Sequence, residues 1–379
     1  MTIMENGIYF NLPEDEYHAI PRLSASGICN ILVSPATFWA DSWMNPDKKK
    51  RDDDTDARIL GRAYHVARFQ PHLLDQMFVS KINPDDYEGL LTNATMIEAE
   101  LDKLMEPKKL AGEKVLDKAI RLREAGYSKP ILHLLQNDWE ANLGDRQGIS
   151  ADYWQQLKRD MELLHQDSEI SKHLTGGQAE VSVLWTEDGI DMKCRFDYLK
   201  PNGFTDLKTF DNPMRKNLEN KIVTDFQYNR YYIQAFIYWR VFELIRRGKI
   251  DLAWQAANEN IEQLIEAIRN RPTAGEIWYI FQEKRGIPNV LAREIDFRTP
   301  VAESHPINDA GVSHETSVAL GEKPRRLNSL GLKAKLDVEI AMSKFAGYMD
   351  IYGPDKPWRL IRPSGRITDA DCSTYFLES

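Results

Sequence analysis

From Ala179 to Phe210 apolar and polar residues alternate in three short segments separated by two turns, and this run most restricts the fold. In "AEVSVLW" Val181, Val183 and Trp185 share one face; "EDG" is a turn; "IDMKCRFDYL" alternates again. "KPNG" is a second turn and "FTDLKTF" a third strand. The run predicts an antiparallel meander, two of whose strands form a hairpin.

Around the meander the pattern is mostly helical. "GIYFNL" is a short strand, and Ser34-Pro35 is an N-cap and first-turn pair opening a helix through "ATFWADSW". "DDDTDARILGRAYHVARFQ" is a helix with Ile59, Ala63, Val66 and Ala67 apolar. Residues 81–175 are polar and helical in pattern, as an inserted layer would be. After the meander come a helix over 214–222, a long one from about Asp225 to Arg247, and another across "DLAWQAANENIEQLIEAIRN". "EIWYIFQE" and "VLAREIDF" are late strands. The predicted class is α/β with a central mixed sheet. The expected division is a domain over 1–300 with a helical insertion at 81–175, then a helical and loop-like extension over 301–379.

The chain has no apolar run near the roughly 20 residues a membrane helix needs. Its N-terminus lacks the basic and apolar regions of a signal peptide, so a cytoplasmic protein is expected. Three scattered cysteines, Cys29, Cys194 and Cys372, build neither a disulfide framework nor a four-cysteine metal site. The net charge of −9 does not decide the partner, because clustered acids at a metal site inflate it. Basic runs at Lys48 to Arg51 and from Glu322 to Lys335 are the usual solvated faces.

The hairpin carries the chemistry. A turn centred between Pro201 and Asn202 places Asp197 opposite Asp206, with Cβ atoms about 4.5–5.5 Å apart on one face. Lys208, two residues on, shares that face. Opposed carboxylates destabilise a sheet unless a cation lies between them. Two hard oxygen ligands with no thiolate suit Mg²⁺ or Mn²⁺, and the Lys208 ammonium is placed to hold and polarise a water beside the ion. Ion, lysine and water together make a phosphodiester-hydrolysing site. The bland reading is a solvated face whose acids pair with Lys193, Arg195 and Lys208.

Three further stretches bear on the choice. "LGRAYH" sets Gly61 and His65 four apart on a helix. His65 is either a packed residue or a ligand, and Gly61, poor for a helix interior, would let another backbone approach closely. "YYIQAFIYW" sets Gln234 and Tyr238 on one helix face with Tyr231 three before, either a site or an aromatic core. Glu180 opens the strand ahead of the hairpin.

The order G-x-x-x-H, strand acid, D-x-K across a turn, Q-x-x-x-Y resembles the RecB-type branch of the PD-(D/E)XK nuclease superfamily, and most closely its RecE-like exonucleases. The resemblance rests on "RLSASGICNILVSPATFWADS", "LGRAYHVARFQP", "AEVSVLWTEDGIDMKCRFDYL", "FTDLKT" and "YNRYYIQAFIYW". It implies that His65, Asp197 and Asp206 ligate metal, with the Leu207 carbonyl completing the shell. It implies that Lys208 positions the nucleophilic water. Gln234 and Tyr238, with Tyr231, would bind the scissile strand or brace the site, and Glu180 would be a second-metal or end-binding acid. Asp206 stands where many relatives carry Glu. The iron–sulfur members of the branch need four cysteines, which this chain lacks.

The implied activity is a Mg²⁺-dependent deoxyribonuclease, with Mn²⁺ substituting, that degrades one strand of duplex DNA from a 5′ end. The implied partners are double-stranded DNA ends, further copies of the chain in a ring, and a RecT-type annealing protein of phage recombination. An endonuclease or 3′-directed nuclease would use the same chemistry. A catalytically idle DNA-binding or assembly subunit, and a phosphoesterase acting on a small molecule, are the readings from other classes. A ligand histidine further predicts loss of activity below about pH 6.

Overall fold

The meander forms the centre of a six-stranded mixed sheet in a computed structural model that describes residues 4–48, 55–253, 258–284, 289–298 and 327–359. The strands are β1 (Gly7–Tyr9), β2 (Phe78–Ser80), β3 (Gln147–Ile149), β4 (Gln178–Glu187), β5 (Ile190–Lys200), β6 (Gly203–Phe210), β7 (Glu276–Glu283) and β8 (Val290–Glu294). The main sheet runs in the order β1-β4-β5-β6-β7-β8, antiparallel throughout except for the parallel pair β6–β7. A parallel pair needs a long crossover, and residues 211–275 provide it. The first meander turn has Asp188 and Gly189 both at positive φ, 50° and 76°, as a two-residue hairpin turn requires. The second closes with Lys200 opposite Gly203, the register expected from the sequence. The short pair β2–β3, a separate parallel ribbon, has no signal in the sequence pattern.

The helices before β2 are α1 (Glu14–Ala19), α2 (Ala25–Val33), α3 (Pro35–Asp41), α4 (Asp56–Phe69) and α5 (Leu74–Met77). At the start of α3 the Ser34 hydroxyl accepts from the Thr37 amide at 3.0 Å, and Pro35 fills the first position. Between β2 and β4 lie α6 (Ala94–Lys103), α7 (Val115–Glu124), α8 (Leu132–Ala141), α9 (Ala151–Gln166) and α10 (Ser168–Ser171). Only the first three form a satellite layer, with Ile97, Leu101, Ala119, Leu122 and Ile131 as its own small core. Helix α9 instead inserts Leu157 and Leu164 against α4 and the sheet.

The crossover holds α11 (Leu218–Tyr228), α12 (Tyr231–Arg246) and α13 (Glu259–Arg269). Helix α11 begins later than its apolar pattern suggests because Asn217 caps it, accepting from the Asn220 amide at 3.2 Å. The long helix expected from Asp225 is broken at Arg230, which is left-handed at φ 55°. Helix α14 (Ser329–Tyr352) is the last of the described helices. It packs Ala334, Val338, Ala341 and Phe345 into the same core as the sheet, and the Tyr232 hydroxyl donates to Asp337 at 2.7 Å. Of the sequence features noted above, Lys49 to Arg51, residues 322–326 and Cys372 lie outside the described residues. Among the described residues no helix is long and apolar enough to cross a membrane.

Two cores sandwich the sheet. Helices α2, α12, α13 and α14 pack on one face with Val181, Phe196 and Phe204; α4 and α9 pack on the other with Ala179, Tyr198 and Leu207.

Candidate active site

Those core assignments expose a switch in the sheet. Ala179 and Tyr198 are paired and belong to the α4 side; Val181 and Phe196 are paired and belong to the α12 side. Simple alternation would put residues two apart on one face, so both strands change face between these pairs, at Glu180 and Asp197. Glu180 is left-handed, with φ 54°, and the β4–β5 register skips the Glu180–Asp197 pair. This is a bulge-like kink of the sort that re-aims side chains beside active sites.

On the other side of β5 the ladder with β6 also stops, at Tyr198–Thr205. Two residues beyond Thr205, the Leu207 amide donates to Oδ2 of Asp197, the neighbour of Tyr198, at 3.0 Å, so a side chain replaces the backbone partner. The gap between β5 and β6 is reached from both faces. From α4, His65 Nδ1 comes within 3.3 Å of Asp197 Oδ2. From α12, the Gln234 amide donates to Asp206 Oδ2 at 2.8 Å while its oxygen accepts from Lys208 Nζ at 2.8 Å. Lys208 Nζ lies 2.6 Å from Asp206 Oδ1, an ion-pair distance, yet Oδ1 receives no well-angled hydrogen bond and is buried. Lys208 Nζ also sits 4.9 Å from the Tyr231 ring centre and 5.4 Å from that of Tyr279.

The electrostatics follow from burying three carboxyls near one ammonium. Asp206 is 1% exposed, and burial, then the Asp197 charge, push it up to about 6 against the opposing pull of Lys208. Burial also raises Asp197, opposed by Lys208 and by the Leu207 amide. Glu180 goes up to about 8 through burial and Asp197, although Arg195 lies 3.6 Å away. Burial alone would lower Lys208, but Asp206 and Asp197 more than offset it, so the ammonium is held charged. His65 keeps 30% of its side-chain surface exposed, yet burial pushes it down to about 4. The imidazole is therefore neutral at pH 6.

The structure thus brings His65, Glu180, Asp197, Asp206, Leu207, Lys208, Tyr231 and Gln234 to one gap. Tyr238, one turn along from Gln234, is buried beneath the strands with its ring edge-on to Phe196 at 5.3 Å and close enough to feel the charges of Asp206 and Asp197, a place that suits bracing. The expected close approach at Gly61 is absent. A Cβ there would meet only Thr209 Oγ1, at an ordinary 3.9 Å. Two residues of the site went unread in the sequence. Tyr279 lies beside Asp206 because β7 pairs with β6 in parallel, a register no local pattern reveals, and its hydroxyl donates to the Tyr231 carbonyl at 3.3 Å. Glu14, at the start of α1, is close enough to raise both Glu180 and His65.

The donor set fits a hard divalent cation: two carboxylates on facing strands and an imidazole kept neutral beside them. Among the described residues no three His, Cys, Asp or Glu side chains stand ready-formed around one point. At this site the Lys208 ammonium lies against Asp206 and balances its charge.

A solved structure from Eubacterium rectale, of a protein provisionally described as an exonuclease, aligns over 88% of this chain and 88% of its own, with 11% identity and a TM-score of 0.41. No curated protein matches the sequence. Residues 24–271 match the family model described as a PDDEXK-like domain of unknown function, DUF3799. The chain therefore belongs to that family and, with its mixed sheet and flanking helices, to the PD-(D/E)XK nuclease superfamily.

Proposed function

We propose that this chain is a Mg²⁺-dependent deoxyribonuclease that hydrolyses one strand of duplex DNA from a 5′ end. The reading extends to a ring-shaped homo-oligomer serving phage-type recombination beside a single-strand annealing protein. The observation that carries the hydrolytic part is the bridge Lys208–Gln234–Asp206, set across the strand gap from Asp197 and His65. Asp206, Asp197, His65 and the Leu207 carbonyl would hold the ion. Bound there, it would supply Lewis-acid stabilisation of the charge that builds on the phosphoryl oxygens.

The chain's own residues account for the rest. Lys208 is a fixed cation and cannot take a proton from water, so its role is to donate hydrogen bonds to the attacking water and to the phosphoryl group. Gln234 holds that ammonium in place, and the Tyr231 and Tyr279 rings restrict its approach to one side. The water oxygen then bonds to phosphorus, its proton passing to solvent, as the bond from phosphorus to the sugar oxygen breaks and that oxygen takes a proton from solvent.

Digestion of linear duplexes labelled at the 5′ or the 3′ end, against a covalently closed circle, tests this reading. Early loss of the 5′ label as mononucleotide, with Mg²⁺ and not with EDTA, and an intact circle are expected. Linearisation of the circle would replace the exonuclease reading with an endonuclease. Inertness on every substrate would leave a DNA-binding subunit.

A further inference from the structure

Two exposed elements flank the site, one at each end of α11. After β6 the chain enters a loop, residues 211–217, directly beyond Lys208. Asn212 clasps this loop: its Nδ2 donates to the Lys216 carbonyl and its Oδ1 accepts from the Lys216 amide, both at 2.9 Å. Inside the clasp Arg215 is forced left-handed at φ 50°, a conformation a side-chain-bearing residue adopts at a cost. The one acid of the loop, Asp211, pairs with Lys284 at 3.3 Å; the rest, "NPMRKN", contains none, and among the described residues neither Arg215 nor Lys216 has a carboxylate partner. Met214 beside them is 76% exposed. The loop thus displays two cations and an exposed thioether to solvent.

At the far end of α11, Tyr228 is 85% exposed. Three residues later Tyr231 lines Lys208, and a chain of three residues reaches at most about 11 Å. Tyr228 thus stands within about 11 Å, along the backbone, of Tyr231, the residue that lines Lys208. The 11-residue α11 is roughly 16 Å long, close to the span of four or five stacked nucleotides.

We propose that loop 211–217 and Tyr228 form a grip for an unpaired nucleic-acid strand next to the site. Arg215 and Lys216 hold its phosphates, and Tyr228 and Met214 offer the surfaces on which bases stack. The inference rests on the nuclease reading above and specifies which part of the substrate is held where. It predicts that the protein prefers DNA with a single-stranded segment to a blunt duplex.

Binding in EDTA, where nothing is cleaved, separates the two. The probes are a fluorescent oligothymidylate and a blunt duplex of equal length, each titrated with the full chain. Tyr228→Ala is expected to weaken oligothymidylate binding on the order of tenfold, Tyr228→Trp to retain it, and the blunt duplex to be little affected. Arg215→Ala and Lys216→Ala should each flatten the salt dependence of oligothymidylate binding by roughly 0.7 in log–log slope. All four side chains are exposed, so melting temperatures should match the wild type; a variant that melts earlier is replaced by Tyr228→Ser or Arg215→Gln. Wild-type affinity in Tyr228→Ala, or an equal loss on both probes, overturns the grip alone. A wild-type protein that binds neither probe overturns the nuclease reading with it.

Discussion

Asp197 accepts, through its side chain, the hydrogen bond that the Leu207 amide would otherwise give to the backbone of β5. A carboxylate, not a carbonyl, therefore joins the two strands at the site, and the ladder ends there with a gap in which charges collect. Asp197→Ala should leave the Leu207 amide without a partner and cost on the order of 1–3 kcal/mol. Asp197→Asn keeps an oxygen to accept that bond, so its melting temperature should stay near the wild type while activity is lost. Equal destabilisation by Ala and Asn would show that the bond contributes nothing.

Asp206 makes the ion-free protein sensitive to pH. Its folded-state carboxyl is raised to about 6, so between about pH 4 and 6 the native state binds more protons than the unfolded chain. Stability without metal should therefore fall as pH rises through that window and level off above it. Asp206→Asn leaves one carboxylate against one ammonium in the gap and should remove this component. Melting curves in EDTA at pH 4, 5, 6 and 7 check it; a wild type and variant with parallel pH profiles would contradict the shift. Metal binding should weaken below about pH 6 for the same reason, and His65, neutral down to about 4, should not add to that loss.

Lys208→Ala should lower the cleavage rate by about two orders of magnitude or more, the scale of a lost charge-stabilising group. DNA and metal binding should survive, since Gln234 still donates to Asp206. Parallel loss of binding and rate would make Lys208 an anchor.

Glu180 gives a test of the kink that is independent of activity. A left-handed residue with a side chain costs roughly 1–2 kcal/mol, which glycine escapes. Glu180→Gly and Glu180→Ala both remove the carboxylate, so their difference reports the backbone alone. Gly should be the more stable by about 1 kcal/mol in urea denaturation. If Ala is equal or better, the bulge is not as described.

The contrast between hairpin and kink shows how far the residues alone could lead. Turn chemistry is local: Gly189 and Gly203 sit where tight turns need them, so the register that sets Asp197 against Asp206 could be read from the sequence. The switch at Glu180 could not, because a left-handed Glu carries no local mark and Val181, Val183 and Trp185 alternate regularly past it. The break at Arg230 was hidden in the same way, inside a run whose helical pattern is continuous. His65 and Asp197 were legible as candidates only through the order of weak motifs. Their 3.3 Å approach depends on α4 docking against the sheet, and Tyr279 joins them only through the β6–β7 crossover. Tyr238 shares a helix face with Gln234, but the aromatic core claims its ring.

Asp206 and its neighbours are proposed to form a divalent-ion hydrolysis site. The most direct measurement is release of acid-soluble nucleotide from a linear duplex by wild type and Asp206→Asn, side by side, with Mg²⁺, Mn²⁺ and EDTA. Release by the wild type with either ion, none in EDTA, and none by a folded Asp206→Asn protein under any condition are predicted. Full activity in Asp206→Asn, or wild-type activity that persists in EDTA, would contradict the account.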